Sequence, residues 1–311
     1  MKNNKFDLTS LSDIFSLNDI KEITTTALAI SEADFNQNFV RAPALKKVRE
    51  KTSVVDHGHS SRGKGNSGRQ WLTPNADALV TEWYRSRNPA WLYAHPDYFW
   101  EGLACSWETS ASFVAFNLVK ELKYPRYNRH PSMDPKTLTW KVFDWGAGVG
   151  LTTLLLAKAM PLSEIFYVQT PCSKEFLFFQ EALKRSGLTN ITILSSESEL
   201  PSLDMVVGIE IVEHFQKPMQ ALMPILNHVK VGGLFAHSSY WQSEMNMPTL
   251  GHFLEYDFEK HGIKSVKKNM SVYHAFRKCM DDAGWDFTDR DPWQHKPRFY
   301  KRREISSFDD V

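Results

Sequence analysis

The stretch from Trp140 to Thr153 reads WKVFDWGAGVGLTT, and it decides the fold. An apolar run ends at Asp144, three alternate glycines follow, and a helix-forming segment begins at Thr152. Glycine lets the backbone turn sharply and come close to a ligand. The helix behind such a turn offers unsatisfied N–H groups at its N-terminus. The stretch therefore predicts a strand, a ligand-binding turn and a helix in immediate succession.

The spacing of the glycines bears on which ligand the turn holds. A dinucleotide turn needs the pattern G-x-G-x-x-G, whose third glycine would stand where this chain has Leu151. It also needs an acidic residue about 20 positions later, where this chain has Gln169. Both departures argue against a dinucleotide.

Apolar runs and helical periodicity alternate through the rest of the second half. We predict strands at 164–168, 191–194, 203–209 and 234–238, and helices at 152–160, 173–185 and 216–229. A further helix is expected at 272–283, capped by Ser271 and stopped by Gly284, before a closing pair of strands at 285–288 and 298–301. Strands that alternate with helices predict an α/β fold with a mostly parallel sheet.

A second block follows the predicted fourth strand. Residues 204–215 read DMVVGIEIVEHF, and residues 231–235 read VGGLF. In this order, the glycine turn and these two blocks resemble the class I S-adenosylmethionine-dependent methyltransferases, in particular the ubiquinone- and menaquinone-type enzymes. The resemblance covers about residues 138–240. It implies a Rossmann-like fold with a seven-stranded sheet between two layers of helices, and S-adenosyl-L-methionine as the cofactor.

The resemblance also implies the residues that surround the cofactor. They follow the first, second, third and fourth strands: Asp144, Gly146, Ala147, Gly148, Gly150, Gln169, Ser196, Glu197 and Glu210. Two places depart from the family pattern. Gln169 stands where an acidic residue usually holds the ribose hydroxyls, and Ser196, with Glu197 beside it, stands where an acid usually contacts the adenine amino group. These departures leave open a non-catalytic binding or assembly subunit of the same fold.

Candidate catalytic residues lie at the end of the second block. His214 has an ordinary pKa near 6.5 and could take a proton from a hydroxyl, an amine or an acidic carbon. Glu213 precedes it, and the pair faces the expected acceptor side. The alternative is that His214 only braces the helix. No metal is expected, because His57 and His59 have no further ligand identifiable in sequence.

The composition divides the chain into three parts. Residues 1–70 form a polar and then basic arm and loop, residues 71–136 an aromatic-rich helical cap, and residues 137–311 the methyltransferase-like domain with an insertion at 240–267. The insertion contains several Met and aromatic residues, which suit an apolar or planar substrate but are equally typical of packing.

The charge balance bears on the class of partner. Lys and Arg number 37 against 36 Asp and Glu, which argues against a polyanionic partner for the whole chain. The basic segments 41–69 and 298–303 keep nucleic acid open as an alternative to a small-molecule or other acceptor. Three scattered cysteines, and the lack of an apolar run of about 20 residues, predict a cytoplasmic protein without a membrane anchor.

Overall fold

The computed structural model describes residues 15–40, 118–123, 132–169, 172–239, 256–258, 263–266, 269–287 and 298–304, together with a few positions between 82 and 106. Its central sheet has seven strands. Five are parallel: β1 (Lys141–Asp144), β2 (Glu164–Val168), β3 (Ile191–Leu194), β4 (Leu203–Ile209) and β5 (Val229–Ser238). A separate antiparallel pair contains β6 (Tyr256–Phe258) and β7 (Ile263–Val266). The central sheet closes with β8 (Trp285–Phe287) and β9 (Arg298–Arg302).

The strand order across the sheet is β3-β2-β1-β4-β5-β9-β8. Strand β9 runs antiparallel to both of its neighbours, and the other pairings are parallel. Strands β1 to β3 extend the sheet in one direction and β4 continues on the other side of β1, so the order reverses between β1 and β4. The predicted α/β fold with a mostly parallel seven-stranded sheet is confirmed.

The following α-helices accompany the strands and have both ends described. They are α1 (Leu17–Leu28), α2 (Glu32–Phe35), α3 (Val119–Lys123), α4 (Leu151–Ala159), α5 (Lys174–Ser186), α6 (Pro218–Leu226) and α7 (Asn269–Asp282). Helix α5 begins where Ser173 accepts a hydrogen bond from the Phe176 backbone, and it ends at Gly187 in a left-handed conformation. Helix α4 carries apolar residues all round and is almost entirely buried.

The sheet separates two hydrophobic clusters. Because side chains alternate along a strand, Val142 belongs to the cluster with α4 and α5, and Phe143 belongs to the cluster with α6 and α7. On β4, Met205 and Val207 face the first cluster and Val206 faces the second. Apolar residues on both faces explain why the parallel strands read as continuous apolar runs.

The N-terminal helices belong to the first cluster. Ile20 and Ile23 of α1 are fully buried there, as is Phe35 at the end of α2. Glu22 on α1 forms an ion pair with Arg185 on α5, with 3.1 Å between nitrogen and oxygen. Residues 15–40 therefore pack on the domain, whereas the sequence predicted a polar arm. Their apolar positions are few, but they fall on one face of each helix.

Three predicted boundaries are wrong. The helix predicted at 216–229 is shorter, because Pro218 starts α6 and Val229 already begins β5. The strand predicted at 234–238 begins earlier, at Val229, and contains a bulge where pairing with β4 passes from Val229 directly to Leu234. Ser271 lies within α7, which starts at Asn269, so it is not the cap.

The predicted cap and insertion are only partly described. Phe99, Trp100 and Leu103 are buried in the first cluster, but most of the aromatic residues at 71–107 lie outside the described residues. Residues 240–255 of the insertion also lie outside them. Among the described helices, none has the length and apolar character to span a bilayer.

Candidate functional site

The candidate site lies at the carboxyl ends of the parallel strands. Asp144 is the last residue of β1, Gln169 follows β2, and Glu210 follows β4. Open parallel sheets bind ligands at this edge, where the strand order reverses. The reversal between β1 and β4 brings the glycine turn next to the loop after β4. The Ile211 side chain of that loop packs on Gly146.

The three glycines of the turn share a left-handed backbone but differ in surroundings. Their φ angles are 70° at Gly146, 53° at Gly148 and 74° at Gly150. A Cβ on Gly146 would lie 2.5 Å from Ile211, and a Cβ on Gly150 would lie 2.1 Å from the Phe179 ring. At Gly148 the nearest atom would be the Gly146 carbonyl oxygen, 4.0 Å away. Packing therefore requires two of the glycines, whereas the middle one borders space that no described residue fills.

Asp144 and Ala147 anchor the turn from inside. Asp144 is 2% exposed and accepts a hydrogen bond of 2.7 Å from the Thr153 hydroxyl on α4. Burial raises the pKa of Asp144 to about 7, although the bond from Thr153 opposes the rise. The carbonyl of Ala147 accepts from the Gly150 amide at 2.8 Å and so closes the turn.

Two side chains at the end of β2 and just after it hold the middle of the turn. The Tyr167 hydroxyl donates to the Gly148 carbonyl oxygen at 2.9 Å, and the Gln169 side-chain amide donates to the same oxygen at 3.3 Å. Gln169 therefore lies next to the turn.

The two predicted residues after β3 have different contacts. Ser196 is exposed, and its hydroxyl accepts from the Ser198 backbone in a short 3₁₀ turn. Glu197 accepts a hydrogen bond from the Trp145 side chain, and partial burial of its carboxyl raises its pKa more than that bond lowers it. Trp145 in turn stacks on Phe215, with ring centroids 5.4 Å apart. Of the two residues predicted to lie near the adenine, Glu197 contacts Trp145, which is next to Asp144 in the chain, and Ser196 caps its own 3₁₀ turn.

Glu210 closes the other side of the crevice. Its backbone is left-handed, with φ of 50°, which is uncommon for a residue with a side chain. Its carboxylate accepts a hydrogen bond of 2.9 Å from the Ser238 hydroxyl at the end of β5. This bond joins the loop after β4 to the last residue of β5.

The two candidate catalytic residues lie just beyond Glu210, in a 3₁₀ turn. His214 is partly buried, and desolvation lowers the pKa of its imidazole to about 4, against the opposing effect of Glu210. Glu213 is fully buried, and its carbonyl oxygen accepts from the Tyr256 hydroxyl at 3.0 Å. His214 is therefore neutral at pH 7, and Glu213 presents no exposed carboxyl to a substrate.

The arginine side chains of the basic segment 298–303 contact other residues of the chain. Arg298 is 9% exposed, with its guanidinium 3.8 Å from the centroid of the Tyr273 ring. Arg302 donates to the carbonyl of Asn227 at 3.2 Å, and Arg303 pairs with Asp281 at 3.0 Å. The other basic segment, 41–69, lies outside the described residues. No group of three or more potential metal ligands occurs among the residues that the structure describes.

Sequence reasoning missed the residues that support the site. Thr153, Tyr167 and Ser238 each hold one predicted residue through a hydroxyl, and Trp145 contacts Glu197. A signal existed for Thr153, since a polar residue two positions into an otherwise apolar helix usually has a buried partner. Tyr167 and Ser238 gave no such signal, because their partners are distant in the chain.

Comparisons with known proteins give similarity in structure. No protein-family model and no curated protein matches the sequence. Among solved structures, a Nostoc punctiforme protein described as an O-methyltransferase is 16% identical, with a TM-score of 0.45 over 72% of this chain and 69% of that one. A SAM-dependent methyltransferase from Aquifex aeolicus is 17% identical, with a TM-score of 0.39 over 59% and 95%. The Methanococcus jannaschii fibrillarin pre-rRNA processing protein is 12% identical, with a TM-score of 0.38 over 55% and 69%.

These similarities concern the fold. The strand order by itself agrees with the mostly parallel, Rossmann-like sheet that the resemblance implies.

Proposed function

We propose that this protein binds S-adenosyl-L-methionine at the glycine turn and transfers its methyl group to a small-molecule or other non-nucleic-acid acceptor. The open space at Gly148 carries the proposal. Among the described residues, a Cβ there would meet no atom closer than 4.0 Å, although the two flanking glycines are packed tightly. A glycine that borders open space at the switch point of a parallel sheet is typical of close approach by a ligand.

The residues around that space fit the cofactor. Its amino-acid part would lie on the glycine turn at the start of α4, where backbone N–H groups are exposed to a ligand. The Gln169 amide stands beside the turn for the ribose, and Glu197 lies near Trp145 for the adenine. The bound cofactor supplies an activated methyl group on a sulfonium.

The chain's own contribution to chemistry is mainly positioning. With a pKa of about 4, His214 is a weaker base than an ordinary histidine, so it suits an acceptor that loses its proton easily. We assign His214 the place beside the acceptor and Glu213 a supporting role through its contact with Tyr256. Alignment of two reactants alone can supply several kcal/mol, about 7–11 in favourable cases.

A binding experiment tests the proposal. We expect titration calorimetry to show binding of S-adenosyl-L-methionine and S-adenosylhomocysteine, and Gly148→Ala to weaken both at least tenfold because the added methyl enters ligand space. The matched control is Gly187→Ala. Gly187 also has a positive φ, 66°, and open surroundings, but it ends α5 away from the turn. Equal affinity in wild type and Gly148→Ala, or no binding at millimolar ligand, would refute the cofactor site.

A labelling experiment separates the remaining alternatives. The protein is incubated with methyl-labelled cofactor and, in turn, with small-molecule, protein and nucleic-acid fractions of a cell extract. We expect Gly148-dependent label outside the nucleic-acid fraction. Label in nucleic acid would instead favour a nucleic-acid methyltransferase, and tight binding without label anywhere would favour a non-catalytic subunit.

A further inference from the structure

A cluster of buried polar side chains lies beneath α7, on the face of the sheet formed by β5, β8 and β9. We call it the polar cluster: His237, Tyr273, Arg298 and Tyr300. In the antiparallel pairing of β5 with β9, His237 stands opposite Arg298, and Phe235 stands opposite Tyr300. Opposite residues share a face of the sheet. His237 and Tyr300 are fully buried, and Arg298 is 9% exposed.

Two atoms of the cluster have no hydrogen-bond partner among the residues that the structure describes. His237 Nδ1 lies 3.1 Å from the Ser239 hydroxyl, but His237 Nε2 and the Tyr300 hydroxyl are buried with no partner in the described part of the chain. Buried polar atoms are nearly always satisfied, and leaving one unsatisfied destabilises a protein. Two such atoms on neighbouring rings, with centroids 5.6 Å apart, point to a ligand that would serve both.

The walls of the cluster are aromatic. The His237 ring stacks on the Phe235 ring, with ring centroids 5.0 Å apart. It packs edge to face with the Phe276 ring, with ring centroids 5.3 Å apart. The Arg298 guanidinium lies over the Tyr273 ring. Burial and the charge of Arg298 lower the pKa of His237, so its imidazole is neutral at pH 7. When its Nδ1 accepts from Ser239, its Nε2 carries the proton and is a donor.

The polar cluster lies at the ligand-binding edge of the sheet. His237 and Ser238 are the last residues of β5, and the Ser238 hydroxyl binds the Glu210 carboxylate of the candidate site. His237 of the polar cluster is therefore next in the chain to Ser238, which belongs to the candidate site. The two side chains lie on opposite faces of β5.

We propose that the polar cluster binds the carboxylate of an aromatic carboxylic acid, and that this acid is the methyl acceptor. The first part stands on the cluster alone, and the second rests on the proposed function. The Nε2–H of His237, the Tyr300 hydroxyl and the Arg298 guanidinium are buried donors on one face of the sheet, and a set of buried donors suits an anionic group. The aromatic side chains around them suit a flat ring attached to that group.

Two substitutions test the site without removing its packing. Tyr300→Phe deletes one unpaired hydroxyl, and His237→Phe replaces the imidazole by another flat ring. The probe is benzoate, with benzyl alcohol as the neutral analogue and inorganic phosphate as the alternative anion. We expect wild type to bind benzoate saturably at millimolar concentration and at least tenfold more tightly than benzyl alcohol. Both variants should lose at least tenfold in benzoate affinity.

Thermal stability separates a binding site from simple packing. Tyr300→Phe should keep or raise the melting temperature, because it removes an unsatisfied buried hydroxyl. The matched control is Tyr256→Phe, which removes a buried hydroxyl that is bonded to the Glu213 carbonyl and should lower the melting temperature by about 2 °C or more.

Four results would overturn the proposal: no benzoate binding to wild type, unchanged benzoate affinity in both variants, a loss of stability in Tyr300→Phe as large as in Tyr256→Phe, or tighter binding of phosphate than of benzoate. S-adenosylhomocysteine affinity is measured in the same samples and should not change in either variant. If that ligand fails to bind wild type, the proposed function fails, whereas the benzoate result still decides whether the polar cluster is a carboxylate site.

Discussion

At the residue scale, Asp144 links the glycine turn to the pH dependence of stability. Burial raises its pKa from 3.8 to about 7, so the folded protein holds a proton that the unfolded chain releases near pH 4. Its contribution to stability is therefore complete below pH 4 and is lost as pH rises toward 7. Asp144→Asn keeps an acceptor for the Thr153 hydroxyl but does not titrate.

We predict that Asp144→Asn is more stable than wild type at pH 8 by at most about 4 kcal/mol, and that this advantage shrinks toward pH 5. The measurement is urea unfolding at several pH values, with the difference between the two proteins taken at each. Both proteins contain the buried histidines His214 and His237, whose lowered pKa values make stability change with pH in the opposite direction. Taking the difference cancels the contribution of these histidines. A difference that is constant from pH 5 to pH 8 would show that Asp144 keeps an ordinary pKa.

Gln169 permits a second prediction at this scale. Its bond to the Gly148 carbonyl is long, 3.3 Å, so its loss costs little. An aspartate there would offer a charged acceptor to the ribose hydroxyls, and charged hydrogen bonds are about twice as strong as neutral ones. We expect Gln169→Asp to bind S-adenosylhomocysteine about fivefold more tightly by calorimetry, and Gln169→Leu to bind more weakly than wild type. Weaker binding in both variants would place the ribose elsewhere.

The same residues show what the sequence can reveal of a site. The spacing of Gly146, Gly148 and Gly150 predicts a tight turn, because only glycine adopts three left-handed conformations so close together without strain. The spacing cannot tell that Phe179 fills the space at Gly150 while Gly148 stays open. That distinction depends on side chains brought in from other elements.

At the scale of elements, the strands were the easiest to predict. The observed bounds of β2, β3 and β4 agree with the prediction, since each is a short apolar or β-branched run between polar or turn-forming residues. The predicted boundary between α6 and β5 is wrong, because apolar residues continue across it and suit both a helix and a strand. Tertiary pairing of Val229 with Leu203 decides that boundary.

Helix α1 supplies the prediction at this scale. Its Ile23 is fully buried in the core, whereas its Glu22 forms a half-exposed ion pair with Arg185. We expect Ile23→Ala to lower the free energy of unfolding by about 2–5 kcal/mol and Glu22→Ala by less than about 1 kcal/mol. Chemical denaturation of the two variants checks the difference. Similar small losses in both would mean that α1 is an arm that adds little to the domain.

At the scale of the whole molecule, charge and burial together describe the available surface. The chain is nearly neutral, with a formal charge of +1. Three arginines of the segment 298–303 are buried or contact their own chain, which leaves the exposed Lys301 as the basic side chain there that faces solvent. The arginines of this basic segment therefore mainly join β9 to α7, to β8 and to the start of β5.

This distribution of charge predicts weak binding to nucleic acid. We expect single-stranded and duplex DNA and RNA to bind no more tightly than about 100 µM at physiological salt, the weak end of non-specific affinity. Fluorescence anisotropy over a range of salt concentrations measures this, with Lys301→Ala as a control on the described surface. Each phosphate contacted releases counterions, so true nucleic-acid binding would weaken steeply as salt rises. Micromolar binding that persists at physiological salt and is lost in Arg62→Ala/Lys64→Ala would instead assign the segment 41–69 to a nucleic-acid partner and reverse the choice of acceptor class.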